Sequence, residues 1–446
     1  NAFDDLPEIE YQKPSSENTL LNSVDATSLD YQEMKYKIFL DEQFEIKNIV
    51  LKNFTRTVEN DLKIFNFICK QNNIYPKFYQ EDFTSENTFR AELLDILQQH
   101  WQTDKIPKPQ FRNLHFYKKP DVNTEKTEYS QGAIAEIVVK QVEIAQNSNE
   151  TENKNYKNVF LTAPTGSGKS VLYQIPAIYL AEQKQLVTII IVPLIALMES
   201  AVKDLKEKYN VQNCAFINSS LTFSEREQTI NQLQAGEISL VFLSPELFIS
   251  FGNLSFLGNR KLGLLVIDEA HTVSTWGQEF RADYWNLGNH IRKLKKYDNN
   301  QNFPVLAMTA TATYGGENDM VYEIIQSLNI EFPEPIILIG NVRRDYISFK
   351  INQFKPTAGN RYETEKKEKT KQYIIDSIDK NIKSLIYFPW VRTNNEVFAR
   401  VPPQYLPKVV QYHGRLSDNQ KLDAVYRFSK NLAIEACATK AFGLGI

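Results

Sequence analysis

The stretch VFLTAPTGSGKS, residues 159–170, decides the fold of this chain. It begins as an apolar strand, turns at two glycines and leads into the helical stretch VLYQIPAIYLAEQ. A strand, a glycine-rich turn and a helix in this order are typical of a phosphate-binding loop, because glycines let backbone amides point at phosphate oxygens and the helix amino terminus is partly positive. The alternative is a glycine-rich turn without a ligand, and the flanking strand and helix argue against it.

The positions of this loop have predicted parts in binding ATP and Mg²⁺. The predicted nucleotide contacts are consecutive: Thr165, Gly166, Ser167, Gly168, Lys169 and Ser170. Lys169 is predicted to reach the β and γ phosphates, and the Ser170 hydroxyl is predicted to bind Mg²⁺. The loop begins with Ala163, where the simplest form of the motif has glycine.

A second apolar strand ends in two carboxylates, within VIDEAH at residues 266–271. Asp268 is predicted to hold Mg²⁺, and Glu269 to polarise the water that attacks the γ phosphate. An Asp-Glu pair standing alone would be interpreted as structural. Beside a phosphate-binding loop it predicts ATP hydrolysis, with Lys169 and Glu269 as the catalytic residues.

Short apolar strands alternate with helical stretches from Val159 onward. The strands are VFLTAP, VTIIIVP, LVFLSP, LGLLVIDE and VLAMTAT, and a second series follows with SLIYF, VVQYHG and IEACATK. All-apolar strands are buried on both faces, which predicts an α/β fold of parallel sheets flanked by helices. Earlier residues show helical periodicity instead. We therefore predict three domains: a mostly helical amino-terminal domain at 1–120, one α/β domain at 121–340 and a second, incomplete one at 341–446.

The composition is that of a globular protein, with 42% hydrophobic and 24% charged residues among 446, and argues against a largely disordered chain. No apolar run approaches the roughly 20 residues that cross a bilayer, and the first residues carry no secretory signal. We therefore expect a cytoplasmic protein without membrane contact. The net charge of −3 means that any nucleic-acid contact is local. The start without Met and the end within a motif suggest a partial chain.

The order and the amino-acid sequences of several segments resemble those of a superfamily 2 helicase of the RecQ type. They run from GSGKSVLYQIPA through VPLIALM, LSPELF, VIDEAH, STWGQEFRADY and MTATAT to AFGLGI, over roughly residues 125–446. The resemblance implies two RecA-like domains that hydrolyse ATP between them and move 3′ to 5′ on DNA that is single-stranded or has a single-stranded overhang. It also implies an arginine finger in a motif after AFGLGI. A kinase or a transporter ATPase would not be expected to carry VPLIALM, MTATAT and the aromatic segment.

The segment STWGQEFRADY, residues 274–284, is the most discriminating part of the resemblance. In RecQ-like enzymes the loop after the DEAH motif couples DNA binding to hydrolysis, a role that carries over to Trp276, Phe280 and Arg281. An aromatic face stacks on any base, worth about 1–3 kcal/mol, and a guanidinium pairs with phosphate. The alternative is that these aromatic side chains pack under the loop. The loop also departs from the family, which usually has Gln and His at the positions of Thr275 and Gln278.

The resemblance extends to residues that link the nucleotide to the rest of the motor. Thr309 and Thr311 in MTATAT, together with His271, match the family's coupling positions, although His271 could simply be hydrogen-bonded structure. Gln131 is the candidate adenine-reading glutamine, because its amide both donates and accepts. The family usually shows an aromatic, an Arg and a Pro-Gly before that Gln, whereas this chain has TEYSQG. A glutamine that only begins a helix is therefore the alternative. His413 matches a family position without an assigned role.

Two functions remain open from the sequence. The first is an ATP-dependent DNA helicase or translocase, in DNA repair or in defence against foreign DNA. The second is a nucleic-acid sensor, a DNA-stimulated ATPase that gates a partner protein without processive unwinding. The amino-terminal domain is expected to dock a protein partner or to regulate access to DNA. The expected compartment is the cytoplasm, at the nucleoid in a prokaryote, or the nucleus in a eukaryote.

Overall fold

The computed structural model describes most of the chain in two compact units, Asn1–Arg344 and Asp345–Ile446. The described residues are 9, 11–12, 23–26, 29–39, 48–51, 56–80, 87–118, 125–147, 156–273, 282–297, 302–315, 319–331, 333–340, 347–355, 357 and 361–442. None of the helices in these ranges is long and apolar enough to cross a membrane.

The described residues before 81 combine helices with short strands. Their elements are β1 (Tyr11–Gln12), β2 (Ser23–Asp25), α1 (Leu29–Phe39), β3 (Asn48–Leu51), α2 (Arg56–Gln71) and β4 (Phe78–Gln80). The strands pair in parallel in the order β1-β4-β3-β2. Tyr31, Leu62 and Phe65 from the two helices fill the core beside this sheet. The helices agree with the sequence prediction, and the strands, two to four residues long, were not predicted.

The next elements pack into the core of the following α/β layer. They are α3 (Ala91–Trp101), β5 (Asn113–Tyr117), β6 (Lys126–Ser130) and α4 (Gln131–Asn147). Leu93, Ile96 and Leu97 of α3 share one hydrophobic cluster with α4. Arg90, just before α3, forms ion pairs with Glu136 at 2.8 Å and with Glu143 at 2.9 Å. Residues 87–118 are therefore packed against the α/β layer that follows them.

Seven parallel strands of the described chain form the central sheet of the first unit. The strands are β7 (Val159–Thr162), β8 (Val187–Ile191), β9 (Cys214–Ile217), β10 (Leu240–Leu243), β11 (Leu262–Ile267), β12 (Val305–Thr309) and β13 (Ile336–Ile339). The accompanying helices are α5 (Val171–Lys184), α6 (Ile195–Glu207), α7 (Phe223–Ala235), α8 (Pro245–Ser250), α9 (Ala282–Tyr297) and α10 (Met320–Ser327). The strand order is β13-β7-β12-β11-β8-β10-β9. The central strands are buried along their whole length, which confirms the parallel-sheet prediction.

The second unit contains a smaller parallel sheet. Its elements are α11 (Tyr362–Asp379), β14 (Ser384–Tyr387), α12 (Val391–Phe398), β15 (Val409–Tyr412), α13 (Asp418–Ser429) and β16 (Glu435–Ala438). The strand order is β14-β16-β15, so β16 is central and fully buried. His413 follows β15, is buried, and its Nε2 lies 3.1 Å from Asn395 Oδ1.

Candidate functional site

Three adjacent strands bring the sequence motifs to one edge of the sheet. β7 runs into the glycine-rich loop, β11 runs into Asp268 and Glu269, and β12 ends at Thr309. β12 lies between the other two and pairs with both in parallel. Because the carboxyl ends of parallel strands meet at the same edge, the predicted motifs converge there, which is where open α/β sheets bind ligands.

The glycine-rich loop has the backbone shape that a phosphate cradle needs. Gly166 and Gly168 have φ values of 80° and 82°, a left-handed region that side chains disfavour. Ser170 precedes the first residue of α5, so the amino end of that helix follows the loop directly. The Ser167 hydroxyl oxygen is buried without a hydrogen-bond partner among the described residues. The loop therefore fits a phosphate group, which would accept hydrogen bonds at this position.

Lys169 is directed back onto its own loop. Its ammonium donates to the carbonyl oxygens of Ala163 at 3.1 Å and Pro164 at 3.3 Å. These acceptors are neutral, whereas phosphate oxygens are charged and accept stronger hydrogen bonds. A bound polyphosphate would therefore compete well for this ammonium.

Asp268 is fixed in place where β11 ends. Its amide donates to Ile191 O at 3.0 Å, and its Oδ1 accepts from the Glu269 amide at 2.9 Å. Burial, together with the nearby charge of Glu269, raises the pKa of Asp268 to about 6. A bound divalent cation would favour the ionised carboxylate at this position.

Glu269 adopts an uncommon backbone conformation beside a histidine. Its φ is 50°, in the left-handed region that costs a non-glycine residue roughly 1–2 kcal/mol. Its Oε2 lies 3.3 Å from His271 Nδ1. Burial pushes the pKa of Glu269 upward, but the hydrogen bond and charge of His271 and the charge of Lys169 outweigh it, so this pKa lies below its usual range. Glu269 is therefore ionised at neutral pH and able to accept a proton from water.

The three predicted coupling residues lie in one hydrogen-bond network. His271 Nδ1 is 3.0 Å from Thr309 Oγ1, and the same oxygen accepts from the Thr311 amide at 3.2 Å. The Thr309 carbonyl accepts from the Ala163 amide at 3.1 Å. Thr309 is fully buried. The network thus connects the DEAH segment with the base of the phosphate loop through β12.

Gln131 contacts the loop rather than presenting a free amide. It is 3% exposed, and its Nε2 donates to the carbonyl oxygens of Ser167 and Gly168, each at 3.2 Å. Its Oε1 accepts from the Arg112 amide at 3.1 Å. The side chain would have to exchange these partners to bind adenine. The adenine role stays a prediction, and the structure adds a contact beneath the phosphate loop.

Phe111 and Arg112 lie beside Gln131 and Gly132, a proximity that was not predicted from the sequence. The Gln131 amide donates to Arg112 O at 2.9 Å, so the two backbones are paired although 19 positions separate them. A Cβ added to Gly132 would lie 2.6 Å from the Phe111 ring, which shows how closely that ring approaches. An aromatic residue and an arginine therefore lie next to Gln131 in the fold, although in the sequence they do not directly precede it as they usually do in the family. The sequence signal for this proximity was the dipeptide Phe111-Arg112. It was not recognised because residues 113–130 separate it from Gln131.

The remaining predicted site residues are placed unevenly. Thr165 is exposed in the loop. Trp276, Phe280 and Arg281 lie outside the described residues. The segment that contains them begins after Val273, the last residue of the short helical turn Ala270–Val273 that follows Glu269.

Comparison with known proteins shows what the chain is similar to. Residues 141–319 match the DEAD/DEAH box helicase family. The chain is 31% identical over 301 residues to the ATP-dependent helicase SGS1 of Saccharomyces cerevisiae, covering 65% of this chain and 19% of that protein. It is 30% identical over 294 residues to the ATP-dependent DNA helicase RecQ of Pasteurella multocida, covering 65% and 41%.

The fold is also similar to a solved structure of the DUF1998 helicase MrfA bound to DNA. That similarity has a TM-score of 0.52 at 14% identity and covers 81% of this chain and 46% of that one. The chain thus spans less than half the length of each of these three proteins.

Proposed function

We propose that this chain, which carries a superfamily 2 helicase core with a DEAD/DEAH box helicase domain, is the motor of an ATP-dependent DNA helicase or translocase. The observation that carries the proposal is the convergence of the phosphate loop, Asp268 and Glu269, and Thr309 on three adjacent strand ends. A motor needs a site that binds ATP and also senses its γ phosphate. The Thr309 network supplies the second property, because it contacts both the loop and the DEAH segment.

ATP is the substrate that the loop fits. The amides around Gly166 and Gly168 and the amino end of α5 would hold its phosphates. Lys169 would exchange its two carbonyl partners for β and γ phosphate oxygens. Gln131, with the neighbouring Phe111 and Arg112, marks the end of the site where we place the adenine.

Hydrolysis would depend on the two carboxylates at the end of β11. Glu269, with its lowered pKa, would orient the attacking water and take its proton. Asp268 and Ser170 would hold Mg²⁺, which supplies positive charge against the phosphate oxygens. His271 would keep Glu269 in its orientation and pass changes at the γ phosphate to Thr309.

DNA is the proposed nucleic-acid substrate. SGS1 is named an ATP-dependent helicase, and RecQ is named an ATP-dependent DNA helicase. We assign DNA contact to Trp276, Phe280 and Arg281, with movement 3′ to 5′, in repair or in defence against foreign DNA. The short turn Ala270–Val273 joins their segment to Glu269. A shift of that segment on DNA binding would therefore reach the water-orienting carboxylate within a few residues.

We also propose three functional domains. The second α/β domain corresponds to 341–446, and the ATP-binding domain, predicted at 121–340, starts nearer residue 87, because α3 shares its core. The remaining residues of the predicted 1–120 domain, those before about residue 87, would dock a protein partner or regulate access to DNA.

The test is ATP hydrolysis with single-stranded DNA, duplex DNA and RNA in parallel, together with strand displacement. Lys169→Ala should abolish stimulated hydrolysis, because it removes the ammonium that lies against the loop carbonyls and would bind the phosphate oxygens. Lys203→Ala is the matched control, since it removes the same charge from an exposed position on α6. Full activity in Lys169→Ala would overturn the site assignment. DNA-stimulated hydrolysis without strand displacement would favour a sensor over a helicase.

A further inference from the structure

Strands β5 and β6, which lie between Arg112 and Gln131 in the sequence, form an antiparallel pair that we call the hairpin. β5 pairs with β6 from Asn113 opposite Ser130 to Tyr117 opposite Lys126. At its base, the Gln131 amide donates to Arg112 O at 2.9 Å. The two ends of the hairpin therefore meet, and the base of the hairpin is itself part of the nucleotide site.

This hairpin is fixed to the protein along one face. Leu114, Phe116 and Tyr129 are buried in the large core cluster of the first unit, and the rings of Phe116 and Tyr129 lie 5.8 Å apart. The opposite face carries exposed His115 and Glu128. One buried and one solvated face make the hairpin a fixed element of the domain, so a displacement at its base would be carried along its strands.

The base of the hairpin supports the phosphate loop through Gln131. The side-chain Nε2 of Gln131 donates to the carbonyl oxygens of two successive loop residues, Ser167 and Gly168. A Cβ on Gly168 would lie 2.7 Å from Gln131 Nε2. The loop and Gln131 therefore cannot move independently, because a shift of Gly168 toward Gln131 would bring it against the side-chain amide.

The middle of the hairpin touches the end of the last strand of the sheet. Phe116 forms an antiparallel bridge with Gly340, which directly follows β13. Gly340 donates to Thr162, at 3.0 Å to the carbonyl and 2.8 Å to the hydroxyl. A Cβ at Gly340 would lie 2.2 Å from the Thr162 carbonyl oxygen. Gly340 is thus held between the hairpin and the residue that precedes the phosphate loop.

We propose that the hairpin, strands 113–117 and 126–130, is a positioning element of the nucleotide site. It holds the Gln131 side chain against the loop carbonyls and Gly340 against Thr162. The phosphate loop is thus contacted at Ser167 and Gly168 and also at the end of β7, the strand that leads into it. The proposal rests on the proposed function only in taking ATP as the ligand of the loop.

Gln131→Met tests the base of the hairpin, because methionine keeps the side-chain length and removes its hydrogen bonds. Without nucleotide, amide hydrogen exchange over 163–168 should rise roughly 5- to 30-fold, the factor for one to two kcal/mol of lost hydrogen bonding. In ATP turnover, KM should rise by a similar factor while kcat changes less than about twofold. Simple loss of folded protein would lower kcat instead.

Shortening the hairpin tests its contact with Gly340. Replacing residues 113–130 by two glycines keeps Arg112 and Gln131 within reach of each other and should raise exchange at Gly340 and over 163–168. His115→Ala is the matched control on the solvated face, 54% exposed, and should change neither. Wild-type exchange over 163–168 in Gln131→Met would overturn the proposal even if the shortened protein misfolded. A wild-type protein without ATP turnover would count against the proposed function, and the exchange comparison would still decide the role of the hairpin.

Discussion

Replacing Gly168 by alanine should damage the phosphate loop more than the same change at Gly166. Both glycines have left-handed φ values, 82° and 80°, so each substitution costs about 1–2 kcal/mol of backbone strain. At Gly166 no heavy atom of the described residues lies within 4 Å of the added Cβ. At Gly168 the new Cβ would lie 2.7 Å from Gln131 Nε2. Gln131 must then give up its bonds to the loop.

The extra cost follows from those bonds. Gln131 makes two hydrogen bonds to loop carbonyls, each worth about 0.5–1.5 kcal/mol net. Gly168→Ala should therefore destabilise by about 1–3 kcal/mol more than Gly166→Ala. Native-state hydrogen exchange of the α5 amides measures this locally, which avoids treating a chain of several units as two-state.

A double-mutant cycle decides whether Gln131 is the cause. In a Gln131→Ala background the obstructing amide is absent, so Gly168→Ala should cost no more than Gly166→Ala. Equal costs of the two glycine substitutions in the wild-type background, or strictly additive costs in the cycle, would refute the reasoning. The fluorescence of a bound ATP analogue should follow the same ranking, with Gly168→Ala the weaker binder.

Three further substitutions probe other parts of the molecule. Glu269→Gln removes the proton acceptor but keeps its shape, so ATP binding should persist while turnover falls roughly 10²- to 10⁴-fold; unchanged turnover would exclude Glu269 as the base. Trp276→Ala should leave ATP binding intact and lower the stimulation by DNA, and equal stimulation would assign that loop to packing alone. Burial lowers the pKa of His290, whose ring packs edge-on against Phe248 at 5.0 Å. Because the folded-state pKa lies below the unfolded value of about 6.5, the stability contribution of neutral His290 is complete above that pH and is lost as pH falls toward the folded value. His290→Leu should therefore flatten the decline of the unfolding midpoint between about pH 7.5 and 5.5, and an identical decline in both proteins would contradict this assignment.

The motifs with short-range causes were predictable from the sequence. The turn at Gly166 and Gly168 needs only a strand before it and a helix after it, both visible in the residue pattern. The buried strands follow from continuous apolar runs. Strand order was not readable, since it depends on which helices cover which face, and the position of β12 between β7 and β11 is the feature that makes Thr309 a link.

Contacts across long sequence separations were not predictable in the same way. Gln131 was expected to meet adenine, and its partners in the structure are Ser167, Gly168 and Arg112. Nothing in TEYSQG indicates that the chain returns to Arg112 at this point, because hairpin pairing depends on the buried faces of both strands rather than on the turn alone. The strands near the amino terminus, such as Tyr11–Gln12, are too short for a period-two pattern to show.

The strand order also gives a physical reason for the position of the coupling residues. β12 pairs with the loop strand on one side and with the DEAH strand on the other, so its last residue lies between the glycine-rich loop and the DEAH segment. A polar side chain there is buried and must find partners, and Thr309 finds them in His271 and the Thr311 amide. In the mechanism proposed above, Glu269 would lose the group it faces when the γ phosphate leaves, and His271, which lies 3.3 Å from Glu269 Oε2 and 3.0 Å from Thr309 Oγ1, would pass that change to Thr309. Thr309 on the middle strand therefore contacts both neighbouring segments, through its hydroxyl to His271 and through its carbonyl to the Ala163 amide.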